Sequence, residues 1–343
     1  MAATAQLNRE VQAGADLAKA AAESRARHAI CPLCGSLKTR RAIRDGASEL
    51  RECADCDLFF VHPYPAIDRH HEHVQSGENP EIRILDCERR FQGEQLYYER
   101  HFASIAEECA GAESVLDVGC GTGHLLQLLS SQSRMRCAGI ELNAQAAEFA
   151  RRGTSCEVME IPFEDFECGE KFDVITLINV FSHIPSFDAL FDSFRRALKP
   201  GGKVILRTAE MAENVSRWNQ AHWGIPDDLH FLGLRTLDFL CAKYGFVVLS
   251  HQRLPYEEEL FRRSRWQQMG RSRLVNLVKY CGVRIPGMLP VLKRAYTALF
   301  GERIFLSFIV LTPLDASRNS PQESADRRQL TNTAKRFRRR ECP

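Results

Sequence analysis

No apolar run in this 343-residue sequence reaches the roughly 18 residues needed to span a bilayer, so no membrane-crossing helix is expected. The Ala-rich start, Met1 to Ala29, lacks the continuous apolar core of a secretory signal. Glu10, Asp16 and Glu23 interrupt the basic character that a mitochondrial leader needs, and residues 1–29 read as a helical or frayed extension. There is no internal repeat. Net charge is only +2, with 26% charged and 44% hydrophobic residues, the balance of a soluble globular chain. The 13 cysteines are odd in number and have no signal segment before them, which makes a disulfide framework a poor explanation. A reducing cytoplasm, with some of the cysteines on metal, is the expectation.

The small net charge hides an asymmetry. Between Phe261 and Arg303 stand ten Lys or Arg residues against one acid, Glu302, and from Asp315 to Pro343 eight bases face four acids. Such a distribution suits an anionic partner or a solvated basic face.

Cys31 to Tyr64 reads as a small independent unit closed by Pro63-Tyr64-Pro65, and a His-rich linker (His70-His71-Glu72-His73) follows. Strand and helix patterns then alternate. Strands are expected at Ser114–Val118, Cys137–Ile140, Cys156–Met159, Phe172–Ile178, Lys203–Arg207, Phe246–Ser250 and Ile304–Leu311. Helices are expected at His124–Ser131, Ala144–Arg152, Phe187–Leu198 and Thr236–Tyr244. The Lys199-Pro200-Gly201-Gly202 turn stops the third of these helices, and Gly245 the fourth. This alternation predicts an α/β fold with a mostly parallel sheet covered on both faces.

The chemistry begins at Val115-Leu116-Asp117-Val118-Gly119-Cys120-Gly121-Thr122-Gly123, where a strand meets a helix. Glycine there lets the backbone approach a ligand closely. The spacing is one residue tighter than in dinucleotide binders. Asp117 would sit awkwardly beside a pyrophosphate but suits a cationic cofactor. S-adenosylmethionine carries an ammonium and a sulfonium, and its carboxylate can use the helix N-terminus after Gly123. Glu141, 24 residues beyond Asp117 at the end of the second strand, is placed to accept both ribose hydroxyls.

In order and spacing, this run, Gly139-Ile140-Glu141, Phe172-Asp173-Val174-Ile175 and Leu198-Lys199-Pro200-Gly201-Gly202 resemble the class I, Rossmann-like S-adenosylmethionine-dependent methyltransferases. The resemblance covers about Tyr97 to Leu311. It implies a seven-stranded sheet whose last strand is antiparallel and forms a hairpin with the sixth. It also implies cofactor contacts at Asp117, Gly119, Cys120, Gly121, Gly123 and Glu141. Phe163, Glu164 and Asp165 would flank the adenine, and Asn179 would lie under the methionine moiety. One departure is Ser182-His183, where many relatives carry Glu-His. That puts a metal-binding or acidic role for this loop in doubt, and leaves His183 as a packing residue or a catalytic candidate.

Cys31-x2-Cys34 and Cys53-x2-Cys56 stand 18 residues apart, the spacing of two zinc knuckles. The stretch between them reads as a hairpin turning at Asp45-Gly46. So short a segment buries little core, and a structural zinc would supply folding free energy without an open position for chemistry. The segment resembles the zinc-ribbon leader of bacterial methyltransferases from glycan and secondary-metabolite gene sets.

The expected divisions are a zinc ribbon at 30–65, a linker at 66–95, a methyltransferase domain at 96–312 with a helical basic cap at 252–303, and a disordered basic tail at 313–343. The acceptor side is expected in His222-Trp223-Gly224-Ile225-Pro226-Asp227-Asp228-Leu229-His230-Phe231. A hydroxyl acceptor needs its proton removed, which makes His230, then His222, candidates for base or substrate contact. The leading reading is methyl transfer to the oxygen, nitrogen or carbon of a small molecule or glycan precursor. An RNA methyltransferase gripping phosphate through ribbon and basic tail is the alternative, which a basic character confined to the C-terminal third disfavours. A cofactor-binding scaffold without turnover is the third. Residues 261–303 read either as a packed helical cap or as a lid touching a membrane surface. The sequence sets no oligomeric state.

Overall fold

The computed structural model describes residues 29–45, 48–76, 102, 104–132, 135–167, 169–211, 227–255, 284–300 and 304–314. Strands β1 (Thr39–Asp45), β2 (Ser48–Cys53) and β3 (Phe59–His62) form an antiparallel sheet in the cysteine-bearing segment. Asp45 faces Ser48 across the first turn. Helix α1 (Ile67–Ser76) follows.

The alternating part contains β4 (Ser114–Val118), α2 (His124–Gln132), β5 (Arg136–Ile140), α3 (Ala144–Gly153), β6 (Glu157–Met159) and β7 (Phe172–Ile178). After these come α4 (Phe187–Ala197), β8 (Leu198–Met211), β9 (His230–Phe231), α5 (Thr236–Tyr244), β10 (Phe246–Pro255), α6 (Met288–Phe300) and β11 (Ile304–Pro313). Seven strands make one sheet in the order β10-β11-β8-β7-β4-β5-β6. The ladder is parallel from β8 through β6, and β11 runs antiparallel to both β8 and β10. This is the doubly covered, mostly parallel sheet that the alternation predicts, with the antiparallel last strand that the resemblance implies.

Local chemistry accounts for the elements. All five residues of β4 are buried, as a strand covered on both faces requires. In α4 the apolar residues Phe187, Leu190, Phe191, Phe194 and Ala197 recur at helical spacing and are buried, and Ser186 caps the first turn by accepting from the Ala189 N–H. Gly245 ends α5 with a left-handed φ of 62°.

Several boundaries differ from the sequence reading, and β8 already begins at Leu198, where the helix end and the Lys199–Gly202 turn are expected. Strand β8 runs on to Met211, where Ile304 of β11 still pairs with it. Strand β10 continues to Pro255, so residues 252–255 are strand and not the start of a helical cap. The residue-by-residue ladder from Phe246↔Pro313 to Pro255↔Phe305 is the cause, since it satisfies backbone groups that a helix there would have to re-pair. Of the expected cap, residues 256–283 lie outside the described residues, as do 1–28, 77–101 and 315–343. No described helix is long and apolar enough to cross a membrane.

The cysteine-bearing segment is not an independent unit, and that expectation is corrected. β9, from the stretch between β8 and α5, pairs antiparallel with β3 through Phe59↔Phe231 and Phe60↔His230. The Val61 N–H donates to the Leu229 carbonyl at 2.8 Å. Leu33, Leu58, Phe60, Val61 and Tyr64 lie in the same buried cluster as Phe181, Phe187, Leu229, Leu232 and Leu237. The physical reason is size: a three-stranded sheet this small has no opposing layer of its own and borrows one. Polar contacts fix the seam. The Thr236 hydroxyl donates to the Cys56 carbonyl at 2.9 Å, and the Arg235 guanidinium holds both carboxylate oxygens of Asp57 at 2.8 and 2.7 Å.

Gly233 marks how close this seam is. A Cβ there would stand 2.0 Å from the Asp57 carbonyl oxygen, a backbone atom that cannot swing away. Gly233→Ala is therefore expected to destabilise the protein by about 2 kcal/mol or more. Urea unfolding checks this, and an unchanged midpoint would mean that the seam yields freely.

Candidate active site

The parallel strands end together, and the chemistry-bearing residues gather at that edge. After Val118 the chain folds back on β5, with the Gly119 and Cys120 N–H groups donating to the Ile140 carbonyl at 2.7 and 3.0 Å. Gly119 has a φ of 70°, and a Cβ on it would stand 2.3 Å from Val180 Cγ2, so only glycine fits between β4 and the loop leaving β7. At Gly121, with φ of 54°, nothing lies within 4 Å of where a Cβ would stand, which leaves an open backbone surface. Gly123 packs the loop against Ala150 of α3. The Cys120 thiol is buried beside Gly139. The Thr122 hydroxyl is buried without a partner among the described residues.

Asp117 is 3% exposed at the end of β4. Its Oδ1 accepts the Thr176 hydroxyl at 2.6 Å. Burial pushes its carboxyl up to about 7 against that hydrogen bond, and the Glu141 charge adds to the rise. A cation arriving here would relieve the cost of ionising it. Glu141 accepts the Gly121 N–H on one oxygen and the Asn143 N–H on the other, both at 2.8 Å, so it also braces the glycine loop.

Asn179, at the exit of β7, has a left-handed φ of 59°. Its N–H donates to the Arg207 carbonyl at 2.8 Å, and the buried Arg207 guanidinium donates to its side-chain oxygen. Glu164 and Asp165 sit in a 3-10 turn at Phe163–Asp165, with Asp165 exposed and Glu164 half-buried against His71 of α1 at 3.1 Å. His183 ends a second 3-10 turn, Phe181–His183. Its Nδ1 lies 3.0 Å from the Asp227 carbonyl and its Nε2 3.5 Å from Asp228 Oδ1. A carbonyl only accepts, so Nδ1 carries the hydrogen and Nε2 is the basic nitrogen.

His230 is a correction. Its ring is fully buried between Phe181 and Phe187, with centroids 5.0 and 4.5 Å away, and its Nε2 lies 3.0 Å from the Ile184 carbonyl. Burial drives its pKa down to about 3, so it stays neutral and cannot serve as a base at ordinary pH. Phe181 and Phe187 enclose the ring, and the pairing of β9 with β3 sets its backbone in the core. His222 lies outside the described residues.

The sequence reading missed Thr176, Arg207 and the histidines of α1 as parts of this region, and gave Asp228 no role of its own within the expected acceptor stretch. It also missed Glu210 on the overhang of β8, a buried carboxylate that accepts Arg253 Nη2 at 2.6 Å and the Ser307 hydroxyl. A charged residue closing an apolar strand, as Arg207 does, is the one signal available beforehand.

Cys31, Cys34, Cys53 and Cys56 meet with all four sulfurs within 4.8 Å of one another. The Cys31–Cys56 and Cys34–Cys53 sulfurs are 3.6 and 3.5 Å apart. Four thiolates around a tetrahedral ion with 2.3 Å bonds stand about 3.8 Å apart, which these distances approach. The hydrogen bond from Cys56 takes Cys31 down to about 6, while burial pushes Cys34 up to about 12.

Comparison with known proteins agrees with this geometry. A family profile described as a methyltransferase domain matches residues 89–251. The match covers just under half of the chain and, with the sheet order and the glycine loop, makes residues 89–251 a methyltransferase domain of the class I, Rossmann-like fold. Among named relatives, the ubiquinone biosynthesis O-methyltransferase of Pseudomonas syringae is 32% identical over 134 residues, which cover 37% of this chain and 56% of that protein. The Idiomarina loihiensis protein of the same name is 31% identical over 113 residues, 31% of this chain and 45% of its own. The chain thus spans about half the length of the curated relatives it matches. In fold it is similar to a phosphoethanolamine N-methyltransferase 2 from Haemonchus contortus, solved with S-adenosylhomocysteine, at a TM-score of 0.53 and 15% identity, covering 80% of this chain and 71% of that one.

Proposed function

We propose that this chain transfers the methyl group of S-adenosylmethionine to a hydroxyl of a small-molecule acceptor, glycan precursors being one such class. The observation that carries the reading is Asp117: a buried carboxylate at the strand end, beneath an open glycine loop, with its pKa raised to about 7. Such a group is suited to a cationic donor and ill suited to a pyrophosphate. The named relatives, which include O-methyltransferases, support a small-molecule acceptor. A reducing, cytoplasmic setting fits the thiols.

When bound, S-adenosylmethionine supplies an electrophilic methyl group on a sulfonium. Asp117 would hold its ammonium, oriented by the Thr176 hydroxyl. Glu141 would accept the ribose hydroxyls while its backbone bonds keep the loop in place. Glu164 and Asp165 would flank the adenine, and Asn179, fixed by Arg207, would support the methionine end. His183 would take the acceptor's hydroxyl proton at Nε2, and Asp228 would stabilise the resulting imidazolium. Positioning supplies much of the remaining acceleration.

The four-cysteine cluster would hold one structural zinc. Four thiolates leave no open coordination position, so the ion would act on folding and not on chemistry.

Calorimetry with S-adenosylmethionine and with NAD tests the donor, and release of S-adenosylhomocysteine over a panel of catechols, phenols and sugars tests the acceptor. Binding of NAD in place of S-adenosylmethionine would end the reading. On any hydroxyl compound that turns over, His183→Gln is expected to lower kcat by about 100-fold while leaving S-adenosylhomocysteine affinity within about twofold. Undiminished turnover would remove His183 from the chemistry.

A further inference from the structure

Helix α1 follows the ribbon directly and presents two consecutive histidines. Neighbouring residues on a helix point about 100° apart, so such a pair reaches two different partners. His70 is 5% exposed, and its Nε2 lies 2.7 Å from the His183 carbonyl, at the end of the turn that follows Asn179. His71, half-buried, pairs through Nε2 with Glu164 Oε1 at 3.1 Å, on the turn after β6. Just before the helix, the Tyr64 hydroxyl donates to the Pro185 carbonyl at 3.3 Å. Three side chains from one short segment therefore hold the two loops proposed to meet the adenine and methionine ends of the donor.

We propose that α1 is a clamp on the donor site, with His70 and His71 as positioning residues whose contacts set the affinity for S-adenosylmethionine. The proposal rests on the donor reading under Proposed function. Neither histidine needs to touch the ligand. His70 holds a backbone carbonyl, so it fixes where the loop carrying Asn179 and His183 runs. His71 holds the Glu164 side chain and, through it, the 3-10 turn, whose carbonyl also accepts Arg196 Nη2 at 2.8 Å. Ordering two loops before the ligand arrives lowers the entropic cost of binding, which is how distant contacts tighten a site. The ribbon enters through continuity: β3 packs on β9, and Tyr64 and α1 continue from it.

The His71 contact brings a pH dependence with a definite sign. The charged groups facing His71 are Glu164 and Asp165 on the turn and Asp68 on its own helix. The Glu164 carboxylate 3.1 Å away raises the His71 pKa above its ordinary value, against burial. Its contribution is therefore complete below about pH 6.5 and fades as pH rises through the raised value.

The test is calorimetric titration of the full-length protein with S-adenosylhomocysteine at pH 6 and pH 8.5, with thermal midpoints recorded to show that each variant is folded. His71→Ala and Glu164→Gln are each expected to weaken binding on the order of tenfold at pH 6 and only about twofold at pH 8.5. His70→Ala is expected to weaken it at both values. His70→Gln, which keeps an N–H donor, should recover most of that loss and stands in if the alanine variant does not fold. Unchanged affinity at pH 6 in His71→Ala and Glu164→Gln would overturn the clamp. If Asp117→Asn abolishes binding while the clamp variants keep it, the clamp alone fails. If the wild-type protein binds no S-adenosylhomocysteine, the donor reading fails with it.

Discussion

Asp117→Asn is expected to weaken S-adenosylmethionine binding by about 100-fold at pH 8 while leaving the protein folded. The effect is electrostatic. The Asp117 carboxyl is buried, and burial holds its pKa near 7 in the free protein. Ionising it without a counter-charge is therefore costly, and a ligand ammonium offsets that cost. The amide keeps the shape but has no charge to offer, and a lost charge-assisted hydrogen bond in a buried site is worth roughly 2–3 kcal/mol, or on the order of 100-fold. The pH dependence follows with its sign. Between about pH 4 and pH 7 the folded protein keeps a proton that the unfolded chain has released, so this group lowers stability as pH rises through that window. A bound cation favours the ionised form, so the affinity of the wild-type protein should climb from pH 6 to pH 8, opposite to the His71 contribution. Asp117→Asn should lose both the affinity and the climb, and should be at least as stable as wild type at pH 8 without ligand. Calorimetry across this range is the measurement. Retained affinity in the variant would place the donor's cation elsewhere.

The second large effect concerns the cysteines. Cys31→Ser is expected to lower bound zinc to well under one equivalent and to drop the thermal midpoint by about 10 °C or more. Structural zinc contributes folding free energy outright, and for a domain of this size each kcal/mol moves the midpoint by about 2–4 °C. The cluster is buried, and Leu33, Leu58 and Phe60 continue from it into the core under α4 and α5. Loss of the metal should therefore weaken the β3–β9 pairing and the seam at Arg235–Asp57, not only the cysteine-bearing sheet. Scanning calorimetry with elemental analysis distinguishes the outcomes. A single transition at lower temperature fits the shared core. A small separate transition for the ribbon, with the main one unmoved, would show two independent units. Unchanged metal content and midpoint would remove the zinc proposal.

Much of the fold is legible in the sequence because local rules and tertiary demands agree. Ser114–Val118, Phe172–Ile178 and Thr236–Tyr244 are bounded in the structure where the apolar runs and Gly245 place them. The glycine run is legible for a similar reason, since Gly119 lies in a conformation and against a neighbour that exclude other residues. The candidate site is less so. Thr176 and Arg207 matter through contacts with Asp117 and Asn179, which are 59 and 28 residues away along the chain. His230 reads as a base in the sequence because histidine in a loop usually meets solvent, and nothing nearby in the chain shows that Phe181 and Phe187 enclose it.

The sequence by itself determined the order of strands and helices, the glycine loop with its two acids, and a four-cysteine set at zinc-knuckle spacing. All of these are written in periodicity or in short spacings, where the chain can interact only with its neighbours. Only the tertiary structure decided that the cysteine-bearing sheet shares the core of the methyltransferase domain, that His230 is buried in the core, and that the histidines of α1 reach the turns after β6 and β7. Those outcomes depend on which surfaces remain uncovered once the sheet has formed. A small sheet with no second layer of its own packs where apolar area is available, and that pairing is long-range in sequence.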